Sequence, residues 1–391
     1  MENTIFENDK KYIANTYGRF PVAVKSGKGS IIYDVEGKRY IDMGSGIATN
    51  AFGLCDDEWN KAITDQLGEY AHVSNLYYSE PQVKLAKLLC EKTGMKKVFF
   101  GNSGAEANEG AIKAARKYAS DNGKPSQKII TLINSFHGRT ITTLSATGQD
   151  VFHTNFGPFT EGFEYAPAND IAAIKAMMFK DGKVDCAAVM VELVQGEGGV
   201  LELSQEYVKE LYALCKENDI LFIVDEVQTG NGRTGTLYCF EQYGILPDIV
   251  TTAKGLGGGL PIGAVMLGAK VENTLSAGTH GSTFGGNPVC AAGAYSIISR
   301  IDNKLLLEVQ AKNMYIIEEL GKLPGVENIS GKGLMLGIKT KKPAKEVISA
   351  CIASGVLVLS AKDKVRLLPA LNIPMDILKE AVEIIAAAIN N

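Results

Sequence analysis

The chain has 391 residues, of which 46% are hydrophobic and 21% are charged, a composition typical of a soluble globular protein. Its length exceeds what a single hydrophobic core usually serves, so we expect two domains. The net charge of −4, without a cluster of basic residues, argues against nucleic acid as a partner.

The cysteines and the apolar runs indicate in which cellular compartment the protein is expected. The seven cysteines are scattered and include no Cys-x-x-Cys pair, so we expect buried thiols in a reducing compartment, with neither disulfides nor a metal site. No run is apolar enough to span a membrane, and the acidic start of the chain does not resemble a signal peptide. We therefore predict a cytoplasmic protein without a bound metal and without a membrane partner.

The first 50 residues predict an arm followed by a small sheet. Two strand-like runs, Ser30 to Asp34 and Lys38 to Asp42, flank a turn at Glu36-Gly37, which is the pattern of a hairpin. Tyr17 lies in the arm before them. From the residues alone it is an exposed tyrosine of the arm.

An anion site is predicted further along the chain. The apolar run from Val98 to Phe100 indicates a buried strand, and the segment Gly101 to Glu109 leads into a helix that continues to about Ser120. A strand, a glycine turn and a helix N-terminus point free backbone amides at one spot, at the positive end of the helix dipole. A Ser-Gly turn before a helix is also an ordinary helix cap, so this segment alone does not establish phosphate binding.

A second strand, Ile129 to Leu132, precedes an aromatic and a basic residue. Phe136 at a strand end can stack on a planar ring. Arg139 beside it can hold a carboxylate with two parallel hydrogen bonds. The alternative is that Phe136 belongs to the core and that Arg139 is a surface ion-pair partner.

A third strand, Ala187 to Val191, is followed by Glu197 and then by a helix from Ser204 to Asp219. Much later in the chain, the run Lys364 to Leu368 suggests a strand that carries Arg366. Nothing in the sequence itself pairs Glu197 with this arginine.

Two short apolar runs, Leu221 to Asp225 and Ile249 to Lys254, dominate the middle of the chain. Each ends in or is followed by an ionisable residue and then by glycines, as in buried parallel strands of an open α/β sheet. A lysine amine attacks carbonyls only when it is neutral, so it needs a pocket that lowers its pKa. A nearby carboxylate can hold a positive charge in the same pocket. An aldehyde cofactor with a ring nitrogen uses both groups.

Within this stretch, Gly230 to Gly235 also fits the dinucleotide fingerprint G-x-G-x-x-G. That motif should begin where the strand ends and open directly into a helix. Here four residues intervene after Asp225, and the segment after Gly235 does not resemble a helix start. A nicotinamide-dependent dehydrogenase therefore stays as an alternative class.

The last hundred residues predict a smaller unit of mixed structure. Short strands are indicated at Leu334 to Lys339, Val356 to Leu359 and Lys364 to Leu368. A closing helix follows at Asp376 to Ile389. Alternating short strands and helices suggest a second α/β domain.

Three strings resemble the class III (ornithine-type) aminotransferases, which use pyridoxal 5'-phosphate: Asp225 to Gly230, Gly232 to Gly235 and Thr252 to Gly255. Two further segments, Asn102 to Asn108 and Ser282 to Pro288, are similar to the same family. The resemblance extends over nearly the full length. It implies an α/β protein of fold type I with a mostly parallel seven-stranded sheet in a large domain, a smaller α/β domain and a homodimer with shared sites.

The resemblance also implies where the domains begin and end. Residues 1–50 form the N-terminal arm and a small sheet that pack on the small domain, residues 51–287 form the large cofactor-binding domain, and residues 288–391 form the small domain. Two departures from the family pattern are Leu193, where a proline is usual, and the segment Gly53 to Asp57, which lacks the family's two histidines.

For the cofactor, the resemblance assigns catalysis to Lys254 and Asp225. The lysine bonds to the cofactor aldehyde and then moves a proton, and the aspartate keeps the ring nitrogen protonated. His137 lies next to the ring without carrying the proton. The remaining implied cofactor contacts are Ser103, Gly104 and Ala105 at the phosphate, Phe136 and Val227 against the ring, Gln228 at the phenolic oxygen, and Thr283 at the phosphate of the neighbouring subunit.

For the substrate, the resemblance implies that Arg139 binds an α-carboxylate and that Glu197 masks Arg366 until a second carboxylate arrives. Tyr17 lies near the substrate, and Ser282 reaches it from the other subunit. The implied reaction transfers the terminal amine of N2-acetyl-L-ornithine to 2-oxoglutarate, giving N-acetyl-L-glutamate 5-semialdehyde and L-glutamate in arginine biosynthesis. Ornithine, succinylornithine or 4-aminobutyrate as the donor, or a glutamate-1-semialdehyde aminomutase, are the alternatives.

Overall fold

The computed structural model describes residues 2–390. Its helices are α1 (Glu2–Tyr12), α2 (Ser45–Ala48), α3 (Asp57–Glu69), α4 (Glu80–Thr93), α5 (Gly104–Asp121), α6 (Ile141–Ala146), α7 (Ile171–Met178), α8 (Gln205–Glu217), α9 (Pro288–Arg300), α10 (Asn303–Gly321), α11 (Ala344–Ala353) and α12 (Met375–Asn390). Short 3₁₀ turns occur at Asp150–Phe152, Cys239–Tyr243 and Lys254–Leu256.

Most of the strands are short and apolar. They are β1 (Val24–Lys28), β2 (Ile31–Asp34), β3 (Arg39–Asp42), β4 (Lys97–Gly101), β5 (Ile129–Leu132), β6 (Phe163–Ala166), β7 (Phe179–Lys180), β8 (Lys183–Val184), β9 (Ala188–Val191), β10 (Val194–Gln195), β11 (Leu201–Glu202), β12 (Leu221–Asp225), β13 (Ile249–Thr252), β14 (Gly263–Leu267), β15 (Val326–Lys332), β16 (Met335–Thr340), β17 (Val356–Leu357), β18 (Leu359–Ala361) and β19 (Lys364–Leu367).

The largest sheet has seven strands in the order β4-β14-β13-β12-β9-β5-β6. Strand β14 is antiparallel to both of its neighbours, and the other pairings are parallel. The predicted mostly parallel seven-stranded sheet is therefore confirmed. In β12 and β13, Asp225 lies opposite Thr251, so the strand ends that carry the two predicted catalytic residues are adjacent.

This sheet separates two apolar layers, because successive side chains of a strand point to opposite faces. Phe222 and Val224 of β12 pack into the larger core, whereas Ile223 packs into a second cluster with the alanine face of α5. Every residue of β12 is buried. Burial on both faces explains why these strands have continuous apolar runs and no polar alternation.

Among residues 2–390, two two-stranded sheets, β7-β8 and β10-β11, and two four-stranded sheets complete the fold. One has the order β1-β2-β3-β17, in which the predicted hairpin of β2 and β3 is confirmed and β17 lies parallel to β3. The other, β15-β16-β19-β18, is antiparallel and carries Arg366 on β19. The proposed domain boundaries at residues 50 and 287 stay a prediction. Within residues 2–390, none of the helices is both long and apolar enough to cross a lipid bilayer.

Candidate active site

A cavity of about 450 Å³ lies beyond the carboxyl ends of the central strands. Segments that follow β4, β5, β9, β12 and β13 all contribute to it, as expected for a binding site in an open α/β sheet. Nine of the predicted site residues line this one cavity: Ser103, Gly104, Ala105, Phe136, Arg139, Asp225, Val227, Gln228 and Lys254.

Lys254 begins the 3₁₀ turn that follows β13, two residues after the strand ends. Its φ of 45° lies in the left-handed region, which a residue with a side chain seldom adopts and which often occurs at functional sites. The side chain is only partly exposed, and its desolvation lowers the pKa of the amine. This is the environment that a lysine nucleophile requires.

Asp225 ends β12 and is 3% exposed. Its Oδ1 accepts a hydrogen bond from the amide of Val227 at 3.0 Å. Its Oδ2 accepts one from Asn108 Nδ2 at 2.8 Å and lies 2.8 Å from Nδ1 of His137. The carboxylate is thus fixed from several sides at the floor of the cavity.

His137 and Asn108 are both fully enclosed around this carboxylate. Desolvation alone would lower the pKa of His137, but the hydrogen bond and the charge of Asp225 outweigh it and raise that pKa. Asn108 Nδ2 also donates to the carbonyl of His137 at 2.7 Å, and Asn108 Oδ1 accepts from Thr251 Oγ1 at 2.7 Å. We did not predict Asn108 and Thr251 as site residues. Asn108 belongs to a segment that resembles the family, but the roles of both residues depend on their inward positions on α5 and β13.

Glu192 is a further cavity residue that sequence reasoning missed. It follows β9, and its carboxyl accepts hydrogen bonds from the amides of Phe136 at 2.8 Å and Gly196 at 3.3 Å. Burial raises the pKa of this carboxyl to about 7. Glu192 therefore connects the loop that carries the predicted stacking ring to the turn that precedes Glu197.

The start of α5 has the geometry of an anion site. Ser103 is the N-cap, and its Oγ accepts a hydrogen bond from the amide of Glu106 at 3.2 Å. The amides of Gly104 and Ala105 belong to the first turn, where a helix offers no acceptor of its own. A Cβ atom at Gly104 would lie 2.6 Å from a methyl of Val227, so only glycine fits at this position without a clash.

Glu197 and Arg366 form an ion pair, with Nη1 2.6 Å from Oε1. Glu197 lies in the turn between β10 and β11, and Arg366 is 3% exposed on β19. Burial alone would raise the pKa of Glu197, but Arg366 outweighs it and lowers that pKa. Gln228 connects the pair to the cavity, because its Oε1 accepts from Arg366 Nη1 at 3.2 Å and its Nε2 lies 3.4 Å from Glu197 Oε1.

Three of the predicted residues lie away from this cavity within one chain. Tyr17 is 69% exposed in the arm, where the guanidinium of Arg19 lies 5.3 Å from its ring centroid. Ser282 Oγ accepts from the amide of Gly285 at 3.0 Å and from Asn102 Nδ2 at 3.2 Å. Thr283 is exposed in the same loop. The roles expected of Ser282 and Thr283 require a second subunit.

The residues present fit pyridoxal 5'-phosphate. The cavity offers an amine of lowered pKa, a fixed carboxylate for a ring nitrogen, a helix N-terminus for a phosphate, and Phe136 and Val227 for the two faces of a ring. In the part of the chain that the structure describes, no group of His, Cys, Asp and Glu side chains is arranged to hold a metal ion.

A lysine and an aspartate at adjacent strand ends of such a sheet define the class of fold type I aldehyde-cofactor enzymes. Residues 12–389 match the family model described as Aminotransferase class-III, and the chain belongs to this family. Among similar proteins, the acetylornithine aminotransferase of Haemophilus ducreyi is 48% identical over 385 residues, covering 98% of this chain and 97% of that protein. That of Caldanaerobacter subterraneus is 45% identical over 386 residues, covering 96% and 97%.

Solved structures are similar over the same extent. The ornithine aminotransferase of Toxoplasma gondii, whose active site has partial occupancy of PLP, has a TM-score of 0.93 at 32% identity and covers 100% of this chain and 94% of its own. The acetylornithine aminotransferase of Elizabethkingia anophelis has a TM-score of 0.88 at 31% identity, with coverage of 99% and 98%.

Proposed function

We propose that this aminotransferase uses pyridoxal 5'-phosphate to transfer the terminal amine of N2-acetyl-L-ornithine to 2-oxoglutarate. The products are N-acetyl-L-glutamate 5-semialdehyde and L-glutamate, a step of arginine biosynthesis. The observation that carries this proposal is the pair of Lys254 and Asp225 at adjacent strand ends, facing one cavity. The choice of donor is supported by the names of the relatives that are 48% and 45% identical.

The bound cofactor supplies an aldehyde and a ring that withdraws electrons from the substrate carbon. Asp225 would accept a hydrogen bond from the protonated ring nitrogen, and Asn108 and His137 hold its carboxylate in place. The amides at the start of α5 would hold the phosphate. Desolvation lowers the pKa of Lys254 and so favours its neutral amine, whose Nζ would act as the base that removes a proton from the substrate carbon.

The pair of Glu197 and Arg366 allows one site to serve two different substrates. With the amine donor bound, Glu197 neutralises the arginine, so the side chain of the donor meets no unpaired buried charge. When the dicarboxylate 2-oxoglutarate arrives, its second carboxylate replaces Glu197 on the guanidinium. Gln228 contacts both partners and is placed to follow this exchange.

The experiment that tests the proposal is an absorbance spectrum of the purified protein before and after addition of N2-acetyl-L-ornithine. We expect a band near the visible edge that is lost with the donor and restored by 2-oxoglutarate. Lys254→Ala should lack this response. A band that does not respond to acetylornithine would contradict the donor, and ornithine, succinylornithine and 4-aminobutyrate would then be compared.

Two other classes predict different results in the same measurement. A glutamate-1-semialdehyde aminomutase would turn over its substrate without added 2-oxoglutarate. A dehydrogenase that used Gly230–Gly235 would bind a nicotinamide cofactor and show no band that depends on Lys254. The segment after Gly235 contains no helix before the 3₁₀ turn at Cys239–Tyr243, which favours the aminotransferase.

The proposed active form is a homodimer with shared sites in the cytoplasm. The loop of Thr283 is joined to the loop of Leu76, since Asn75 Nδ2 donates to the carbonyls of Ser282 and Gly285 at 3.0 Å each. Together the two loops expose four large apolar side chains, three from the loop of Leu76 and one from the loop of Thr283, and such a patch favours a protein interface. These side chains are Leu76, Tyr77, Tyr78 and Phe284. All seven cysteines are unpaired, which is consistent with a reducing compartment.

A further inference from the structure

Arg139, the residue expected to bind the α-carboxylate, is held by aromatic rings and not by an acid. Its side chain is exposed, and among residues 2–390 no carboxylate oxygen lies within 4.0 Å of its guanidinium. The guanidinium carbon lies 4.1 Å from the ring centroid of Phe152 and 5.4 Å from that of Phe136. The shorter of these contacts is well within the range of a cation–π interaction.

Phe152 is itself firmly attached to the strand end that carries the site. It closes the 3₁₀ turn Asp150–Phe152, and its ring meets that of Phe136 edge-on, with centroids 5.8 Å apart and an interplanar angle of 78°. The Phe152 amide donates to the carbonyl of Gln149 at 3.0 Å, and Gln149 Nε2 donates to the carbonyl of Ser135 at 3.0 Å. The ring that holds Arg139 is therefore fixed to the loop that follows β5.

We propose that Phe152 positions Arg139 for the α-carboxylate of the amino donor, and that it thereby helps to select donors that carry this group. The inference rests on the proposed function. A ring against one face of a guanidinium leaves free the edge that carries its N–H groups, and this edge can form two parallel hydrogen bonds with a carboxylate. A restrained arginine also loses less conformational freedom when the carboxylate binds.

The test compares two donors that differ only in this carboxylate. N-acetylputrescine is N2-acetylornithine without its α-carboxylate. In Phe152→Leu, we expect KM for N2-acetylornithine to rise about three- to tenfold, the size expected for a lost cation–π contact. The kcat for N2-acetylornithine and the kcat/KM for N-acetylputrescine should stay within about twofold of wild type, and Phe152→Tyr should behave as wild type because it keeps the ring.

A binding measurement separates positioning from a general structural effect. N-acetyl-L-norvaline has the carboxylate but no reacting amine, and calorimetry should show a similar three- to tenfold weaker Kd for the Phe152→Leu holoenzyme. In an Arg139→Ala background, Phe152→Leu should change this Kd by less than about twofold, because Phe152 acts through the arginine. Phe152→Met serves as a second variant, with thermal unfolding as the check on folding.

Two results would overturn the inference alone. One is an equal loss of kcat/KM for both donors in Phe152→Leu, and the other is a full additional effect of Phe152→Leu in the Arg139→Ala background. Failure of the wild-type enzyme to use N2-acetylornithine would instead overturn the proposed function, and the inference with it.

Discussion

At the scale of single residues, Glu226 shows how a buried acid makes stability depend on pH. It follows Asp225 directly, is fully buried and lies outside the cavity. Its carboxyl accepts hydrogen bonds from the amide of Phe240 at 2.8 Å and from the hydroxyl of Thr229. No basic side chain of residues 2–390 forms a salt bridge with it, and burial raises its pKa to about 7.

Between about pH 4.5 and pH 7, Glu226 therefore keeps its proton in the folded protein. In the unfolded chain, where its pKa is near 4.5, the same carboxyl has released it. This contribution to stability is fully present below pH 4.5 and is lost as the pH rises through 7. The loss amounts to about 3 kcal/mol, since each unit of pKa difference is worth about 1.4 kcal/mol.

We expect Glu226→Gln to remove this loss, because an uncharged amide can accept from the amide of Phe240 at its oxygen and donate from its nitrogen to the hydroxyl of Thr229. Thermal unfolding of the holoenzyme, measured between pH 4.5 and 8, should show that the stability of the variant relative to wild type increases as the pH rises. Glu210→Gln, an exposed change on α8, is the matched control and should show a constant difference. A pH-independent difference for Glu226→Gln would contradict the expectation.

The site residues divide according to what a sequence can reveal. Asp225 and Lys254 were predictable because each follows an apolar run that had to be a buried strand. Asn108 was not, since its role depends on which strand end the inward face of α5 meets. Arg366 could be paired with Glu197 only through the family resemblance. Their contact arises because β19 and the turn after β10 meet in space, and no local pattern encodes that meeting.

At the scale of elements, helix α5 and the loop after β12 are fitted to each other at one glycine. The Cβ of any other residue at position 104 would lie 2.6 and 3.0 Å from the two methyls of Val227. The branched side chain of valine has a restricted χ1 angle, so it cannot easily rotate away from an added Cβ. A change in the backbone at the start of α5 would therefore displace Val227, the side chain proposed to contact the cofactor ring.

We therefore expect Gly104→Ala to lower the affinity for pyridoxal 5'-phosphate about 5- to 150-fold, because overpacking of this kind costs about 1–3 kcal/mol. Spectroscopic titration of the apoprotein measures it. Gly68→Ala in α3, where an added Cβ meets nothing within 4 Å, is the matched control. It should leave the affinity unchanged and raise stability by about 0.5–1 kcal/mol. Equal affinities of the Gly104→Ala and Gly68→Ala variants for pyridoxal 5'-phosphate would contradict the dependence of the cofactor site on Gly104.

The elements themselves were largely predictable, and the exceptions have physical reasons. Helix α4 spans Glu80–Thr93, with Pro81 in its first turn and Gly94 as its left-handed C-cap, and both are end signals that a sequence shows directly. Strand β1 was missed, since Val24–Lys28 is mostly polar and exposed. The predicted strand from Val356 to Leu359 is split between β17 and β18, which belong to different sheets, and only tertiary pairing determines that division.

At the scale of the whole molecule, the proposed dimer makes each site depend on two chains. Lys254 lines the cavity of its own chain, whereas Thr283 is exposed on a loop outside that cavity. If Thr283 serves the neighbouring subunit, a dimer of two different mutant chains contains one intact site and one site with both defects.

Subunit complementation tests this arrangement. Lys254→Ala should be inactive, and Thr283→Ala should bind the cofactor weakly. Mixing the two after partial unfolding, or expressing them together, should restore up to about half of the wild-type activity in each mixed dimer, by the symmetry of a two-fold assembly. Sedimentation velocity should give a dimer for both variants. Activity no higher than the sum of the two separate variants would contradict shared sites.

The pairing of β17 with β3 also has a consequence for the order in which the protein matures. The amide of Ile41 donates to the carbonyl of Gly355, and that of Met43 to the carbonyl of Leu357, at 2.8 and 2.9 Å. A ribosome that adds 5–20 residues each second delivers β17 roughly 15–60 s after β3, because about 300 residues separate them. During that interval one edge of β3 has no strand to pair with, and open edges invite aggregation. The nascent chain therefore carries an unpaired strand edge, and benefits from a chaperone, from the synthesis of β3 until β17 has been added.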